Sequence, residues 1–193
     1  MATLAHVAAG LVIGRVHAQA ATGASRLASF VVFTGVAVLP DLDIVLSDSR
    51  VGGGSVLAHR GISHSLGMAI AVGTVVWLLL RRFASRWPPL RTALAAGIAM
   101  ASNGLLDIFS AGGEGVTLLW PLVDARLQSV WRPIPDAPVE SLLTTVRGIR
   151  CLLLESAGCL PAFAWALSRR APMARSSHVA LQVIRDSWGT KER

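Results

Sequence analysis

The sequence predicts an all-α protein, a helical integral membrane bundle of about four to five apolar helices. Three observations carry that expectation. Hydrophobic residues make up 53% of the 193 positions and charged residues only 15%, against roughly 25% charged in an ordinary soluble domain. Mean hydropathy is +0.57, leaving too little polar material to cover a soluble globule. Arginines also gather at the ends of apolar runs, as in Arg81-Arg82 and Arg169-Arg170, which is how membrane segments are flanked on the cytoplasmic side. This balance excludes intrinsic disorder and argues against a coiled coil or charged solenoid. The length fits one domain with a tail, expected as a membrane-embedded unit over residues 1–170 and a cytoplasmic tail over 171–193.

The net charge of +7 comes from 18 Lys+Arg against 11 Asp+Glu, and only Lys191 is a lysine. Nucleic acid is not an expected partner, because it needs basic residues gathered on one soluble face. Cys151 and Cys159 match no metal-binding cysteine spacing and read as buried structural thiols.

The first segment, Ala2 to about Ala20, is rich in alanine, valine and leucine at helical spacing. His17-Ala18-Gln19-Ala20 resembles a cleavage site, but no positive region precedes it, so the segment reads as a retained helix. Thr22 to Ser25 reads as a turn. The run Leu27–Leu39 is uncharged and stops at Pro40, where the chain is expected to turn. Gly52-Gly53-Gly54 centres a loop. Gly61 to Leu80 holds 20 residues without formal charge, about the length needed to cross a bilayer. Thr92–Leu106 is shorter and ends at Asp107. A connection of roughly 35 residues follows, and long loops of this kind tend to be functional. Cys151–Leu167 is the last apolar run, and Val179–Trp188 is a candidate short amphipathic helix.

If successive helices alternate direction, with the arginine clusters on the cytoplasmic side, the chemistry converges at the opposite end. His6 starts the first helix there. The second delivers Asp41 and Asp43, the third begins with His59 and His64, and the fourth returns with Asn103 and Asp107 on one helical face. Imidazole and carboxylate together bind divalent ions, zinc first, with manganese or magnesium as alternatives. Charges near a bilayer are costly and mark functional sites by default. Arg60 suits a phosphate, since guanidinium matches its geometry.

Taken singly, each signal has a plain structural reading. Pro40-Asp41-Leu42-Asp43 can be a turn or a helix cap. His6 can be a satisfied interfacial histidine, and Asn103 with Asp107 can hydrogen-bond between helices. His59 and His64 are five apart and need a turn at Gly61 to share a site. His17 and His178 are expected at the surface without partners. The metal reading rests on the ensemble.

At these residues the chain resembles the bacterial membrane-bound metal-dependent hydrolase family, long known as a domain of unknown function. The resemblance is carried by His6, by Leu39-Pro40-Asp41-Leu42-Asp43, and by His59-Arg60-Gly61-Ile62-Ser63-His64-Ser65, where the family usually has HRGxTHS. Leu105-Leu106-Asp107 with Gly112-Gly113 and Leu119-Trp120-Pro121 forms a further block, and the match covers about residues 1–168. It implies a multi-pass protein of the bacterial inner membrane with His6, Asp41, Asp43, His59, His64 and Asp107 as metal ligands. It also implies hydrolysis of a phosphoester or lipid-like substrate, since the family looks distantly similar to zinc-dependent phospholipases C and related nucleases.

Asn103 stands where the family usually has histidine. Asparagine offers a carbonyl oxygen but is a poor zinc ligand and no general base. The expected function is therefore metal-dependent hydrolysis, with Arg60 on the substrate anion and Asn103 as a weak ligand or substrate contact. The alternative is a degenerate, non-catalytic membrane protein with a structural or partner-binding role. A transporter is disfavoured because no internal repeat is visible.

Overall fold

The structure is a computed structural model and describes residues 3–20, 26–46, 59–83, 87–136 and 143–168. Within these residues the protein is all-helical, with no strand. Five long helices, α1 (Thr3–Ala20), α2 (Arg26–Val38), α4 (Leu66–Arg82), α5 (Pro89–Ile108) and α6 (Val146–Leu167), are joined by the one-turn helix α3 (Asp43–Leu46) and two 3-10 turns. The expected turn at Thr22–Ser25, the triglycine loop, the helix over Val179–Trp188, His178 and the tail lie outside the described residues.

α5 packs against α1, α2 and α4, and α6 packs on α1. Phe33, Ala37, Ala96 and Ala99 form the buried core where α2 meets α5. Small alanines on α5 let the neighbouring helices approach, while Leu27, Ile70, Leu94 and Leu153 point outward and stay exposed. Apolar residues therefore dominate the outer faces, whereas the interior is rich in polar and charged side chains such as His6, Arg15, Asp41, Arg60 and Asp107.

α1 and α2 lie where the sequence reading expected them, and other boundaries differ for local reasons. Pro40 does not turn the chain away. Leu39–Leu42 continues from α2 as a 3-10 turn with proline in its first turn, where a missing N–H is tolerated. The run expected from Gly61 to Leu80 loses its first residues to the 3-10 turn Ile62–His64. Ser65 then caps α4, accepting from the Met68 N–H at 3.0 Å, which leaves a helix of 17 residues, about 25 Å long. α6 starts ahead of the expected Cys151, because Thr145 caps it by accepting from the Gly148 N–H at 3.0 Å, and it runs through Pro161. Among the described residues α6 alone is long and apolar enough to cross a membrane by length and composition.

α6 holds α1 at both ends. Glu155, buried and the one acid in α6, accepts from the Ala5 N–H at 3.0 Å. Its negative charge there suits the partial positive charge of the α1 N-terminus. At the other end Arg15 donates to the Ser168 carbonyl at 3.2 Å and to Ser168 Oγ at 2.8 Å, and stacks 4.5 Å over Trp165. Arg26 donates to the Ala166 carbonyl at 2.7 Å. These arginines satisfy the open carbonyls at the C-terminus of α6.

His17 is a correction: it is buried, not a surface residue. Ser29 Oγ lies 3.1 Å from one ring nitrogen and Thr92 Oγ1 2.9 Å from the other, so α1, α2 and α5 share one polar contact. Phe33 and Trp87 pack around the ring. Cys151 and Cys159 are free thiols, only half-buried.

Glu155→Gln keeps the acceptor for Ala5 and is expected to leave thermal unfolding in detergent nearly unchanged. Glu155→Leu should cost about 1–2 kcal/mol, the usual loss for an N-terminal helix cap, read as a lowered melting temperature.

Candidate metal centre

The six expected ligands come from four separate stretches, and local structure decides how they meet. His6 lies in the second turn of α1. Asp41 and Asp43 follow α2 on the 3-10 path that Pro40 permits. Asp107 closes α5, and Gly104 before it leaves room for the His64 carbonyl, against which any Cβ would collide.

His59 and His64 approach through the turn between them, yet the residue with unusual backbone is Arg60 and not Gly61. Arg60 has φ of +65°, whereas Gly61 has φ of −85°. A non-glycine residue in the left-handed region is held there by its surroundings. The Arg60 carbonyl accepts from the Thr117 N–H at 3.1 Å. Its Nε forms an ion pair with Asp107 Oδ2 at 2.8 Å, and Nη2 donates to Ser110 Oγ at 3.2 Å. Nη1 donates to the Gly112 carbonyl. Gly113, with φ of +82°, lies where a Cβ would strike the guanidinium. Gly113 thus gives the buried arginine its room, while Gly112 makes room for Asp136. The sequence reading placed Arg60 on a substrate anion; the structure commits its donors to protein groups.

Two ligand sets result. The inner set is His6, Asp41 and Asp107, all buried; the outer is Asp43, His59 and His64. His6 Nε2 lies 3.4 Å from Asp107 Oδ1 and 3.8 Å from Asp41 Oδ2. His64 sits between the sets. Its Nε2 is 3.4 Å from Asp41 Oδ1 and 3.7 Å from Asp107 Oδ2, and its Nδ1 is 3.3 Å from Asp43 Oδ2. Asp43 Oδ1 meets His59 Nδ1 at 2.6 Å. The mouth of the centre is here, with the His59 side chain 28% and Asp43 15% exposed against 1% for His6.

Hydrogen bonding separates the sets. Asp43 accepts from Ser63 Oγ at 2.5 Å as well as from His59, so the outer set is satisfied as it stands. Both ring nitrogens of His6, Asp41 Oδ2 and Asp107 Oδ1 are buried without a hydrogen-bond partner. Leaving such acceptors unpaired is costly, and a cation among them removes the cost. Charge points the same way: Asp41, Asp43 and Asp107 against Arg60 leave two negative charges, matching one divalent ion. The donor set fits a metal.

Asn103 is buried beside this set. Its Nδ2 donates to the Ala37 carbonyl at 2.9 Å, and its Oδ1 has no partner. One half of the amide therefore ties α5 to α2, and the other is an open acceptor.

The connection from Phe109 to Asp136 covers the centre without forming strands. Leu66 N–H bonds to the Leu118 carbonyl at 2.9 Å, Ala111 N–H to Ile134 at 2.9 Å, and Val116 and Leu127 exchange two bonds. Val116, Thr117 and Ser110 are fully buried beneath it. The sequence reading missed Ser63 and Ser110 as parts of the site, although it expected the long connection to be functional. Ser63 sits inside the histidine motif, the signal that would have found it. It also missed Glu155, signalled by being the one acid in an apolar helix.

Burial disfavours a charged His64, but hydrogen bonds and charge from Asp41, Asp43 and Asp107 outweigh it and raise its pKa to about 9. Burial likewise opposes ionisation of Asp43, yet the hydrogen bonds from His59, His64 and Ser63 hold its carboxyl well below the usual range.

Fold and site together define an all-helical protein with a buried histidine–aspartate centre at one end of its bundle. The chain belongs to the YdjM inner membrane protein family, which it matches over residues 1–177. It is 33% identical to inner membrane protein YbcI of Escherichia coli over 155 residues, 79% of this chain and 86% of that protein. No solved structure matches.

In metal-stripped protein His64 is protonated up to about pH 9, against 6.5 for the ordinary side chain. Its stabilisation is therefore complete below pH 6.5 and lost as pH rises through 9. Thermal unfolding of the stripped protein should fall across that window. Added zinc should remove the dependence, because the ion replaces the proton.

Proposed function

We propose that the chain is a multi-pass inner-membrane hydrolase, holding a divalent metal ion at the inner set and cleaving a phosphoester bond. The observation supporting this is the group of buried, unpartnered acceptors of His6, Asp41 and Asp107. Two imidazoles and two carboxylates, counting His64, suit zinc, with manganese or magnesium as alternatives. Such an ion supplies a Lewis acid for a phosphoryl oxygen and lowers the pKa of water.

The protein groups bind, orient and insulate. Asp43 faces Nδ1 of both His59 and His64, fixing the rings so that each presents Nε2, as carboxylates do behind histidine ligands. Ser63 holds Asp43 in turn. Arg60 keeps Asp107 ionised and in place. The cover over residues 109–136 excludes water, which strengthens every charge interaction beneath it. His59 and Asp43, at the exposed mouth, form a second and weaker ion position where substrate meets the centre.

A non-catalytic role is the second reading. Asn103 favours it, because its amide is spent partly on the Ala37 carbonyl and lacks the basicity of histidine.

Metal analysis of detergent-purified protein under metal-replete conditions tests the first reading. Wild type should retain at least one tightly held equivalent, and Asp41→Ala and His6→Ala should lose it. Asp43→Asn should weaken metal binding by roughly 10–100-fold, the usual effect of losing a carboxylate behind a ligand. Wild type as metal-free as Asp41→Ala would rule the reading out. Metal bound without turnover of any phosphodiester or phospholipid, and turnover gained in Asn103→His, would establish the second reading instead.

A further inference from the structure

We propose that the trough between α4 and α5 seats one acyl chain of a membrane phospholipid whose phosphate headgroup meets the metal centre. This rests on the hydrolase reading and narrows its substrate from any phosphoester to a lipid. The trough has a volume of about 450 Å³, within the range of small-ligand sites.

Its construction suits a chain better than a helix. A Cβ at Gly73 would lie 3.1 Å from the Ala93 carbonyl oxygen, and one at Gly97 would lie 3.3 Å from that of Ala69. The small residues that a partner helix would use for close approach are thus already spent between α4 and α5. What remains outward is a backbone floor between apolar walls, with Ile70 and Trp77 from α4 and Leu94 and Ile98 from α5. These walls stand in the way of a second helix and leave a slot for a flexible chain.

One end of the trough lies near the level of the centre along the two helices. Ala69, at one end, follows His64 by five residues, and Ala101 precedes Asn103 by two. From Ala69 to Trp77 the slot runs about 12 Å along α4, close to the roughly 15 Å depth of one leaflet's hydrocarbon. The cover joins the same end, since the Trp120 carbonyl and the Pro121 ring lie against Gly67. Leu122, Val130 and Trp131 on the cover are exposed, as in segments that rest among lipid headgroups. Arg126 brings positive charge to the mouth, donating to the His59 carbonyl at 3.4 Å, where a headgroup phosphate would arrive.

Photo-crosslinking tests this without requiring turnover. Full-length, zinc-loaded protein is reconstituted in phosphatidylethanolamine–phosphatidylglycerol vesicles containing phosphatidylglycerol with a diazirine on its acyl chain, and the labelled residues are mapped by mass spectrometry. Labels should concentrate on the trough-lining positions. Thr74→Trp and Leu94→Trp, two independent ways of filling the slot, should each reduce them by roughly tenfold, a modest apolar contact energy, with bound metal unchanged. Labels spread evenly over the exposed faces of α2, α4 and α6, or unaltered by both fillings, would overturn the proposal. So would crosslinks joining two copies through α4 and α5. A water-soluble phosphodiester assayed in parallel separates the two readings. Its hydrolysis with diffuse labelling defeats the trough alone, while trough labelling with no phosphoester turned over defeats the hydrolase reading.

Discussion

An excess of carboxylates over guanidinium, Asp41, Asp43 and Asp107 against Arg60, at one end of the helical bundle constrains everything else in this protein. Asp41 and Asp107 are almost fully enclosed, Asp43 is half-buried at the mouth, and Arg60 is paired with Asp107. Isolated carboxylates in such surroundings are strongly disfavoured and must be paired, protonated or bound to a cation. His64 answers part of the demand by holding a proton to about pH 9. The orphaned acceptors of His6, Asp41 and Asp107 show what a proton on His64 leaves unmet. A divalent ion meets it at once.

The surrounding architecture serves that centre. α2 is prolonged through Pro40 so that both aspartates arrive on one path. The strained Arg60 backbone is held by Thr117 from the cover, and its side chain by Ser110 and Gly112. At the far end of the bundle polar groups do a different task. Arg15, Arg26 and His17 lock helix to helix, and Glu155 fixes the start of α1 one residue before His6. The register of α6 against α1 therefore reaches the site through the backbone.

Convergence of the six side chains was legible from sequence because it needed only helix number and alternating direction, with Asp41, Asp43, His59, His64 and Asp107 near the breaks between apolar runs. Membership of an inner membrane protein family matched the composition and the inner-membrane part of the motif resemblance. Element boundaries were less legible, because capping decided them: Ser65 delays α4 and Thr145 advances α6. Proline at position 40 ends α2 as expected, but the chain goes on as a 3-10 turn, since proline is tolerated in a first turn. His17 was misjudged because its partners Ser29 and Thr92 are distant in sequence and leave no local pattern. The role of Arg60 was hidden for the same reason: the groups that engage it lie about 50 residues away. Among the described helices α6 alone is long and apolar enough to cross a membrane, and family membership assigns the chain to the inner membrane.

Anomalous scattering measured on both sides of the zinc edge, from crystals of the zinc-loaded protein, examines the central claim most directly. The account predicts a peak enclosed by His6, Asp41, Asp107 and His64 Nε2, stronger than any peak beside His59. A fully occupied zinc elsewhere, with those four side chains hydrogen-bonded only to protein or water, would contradict it.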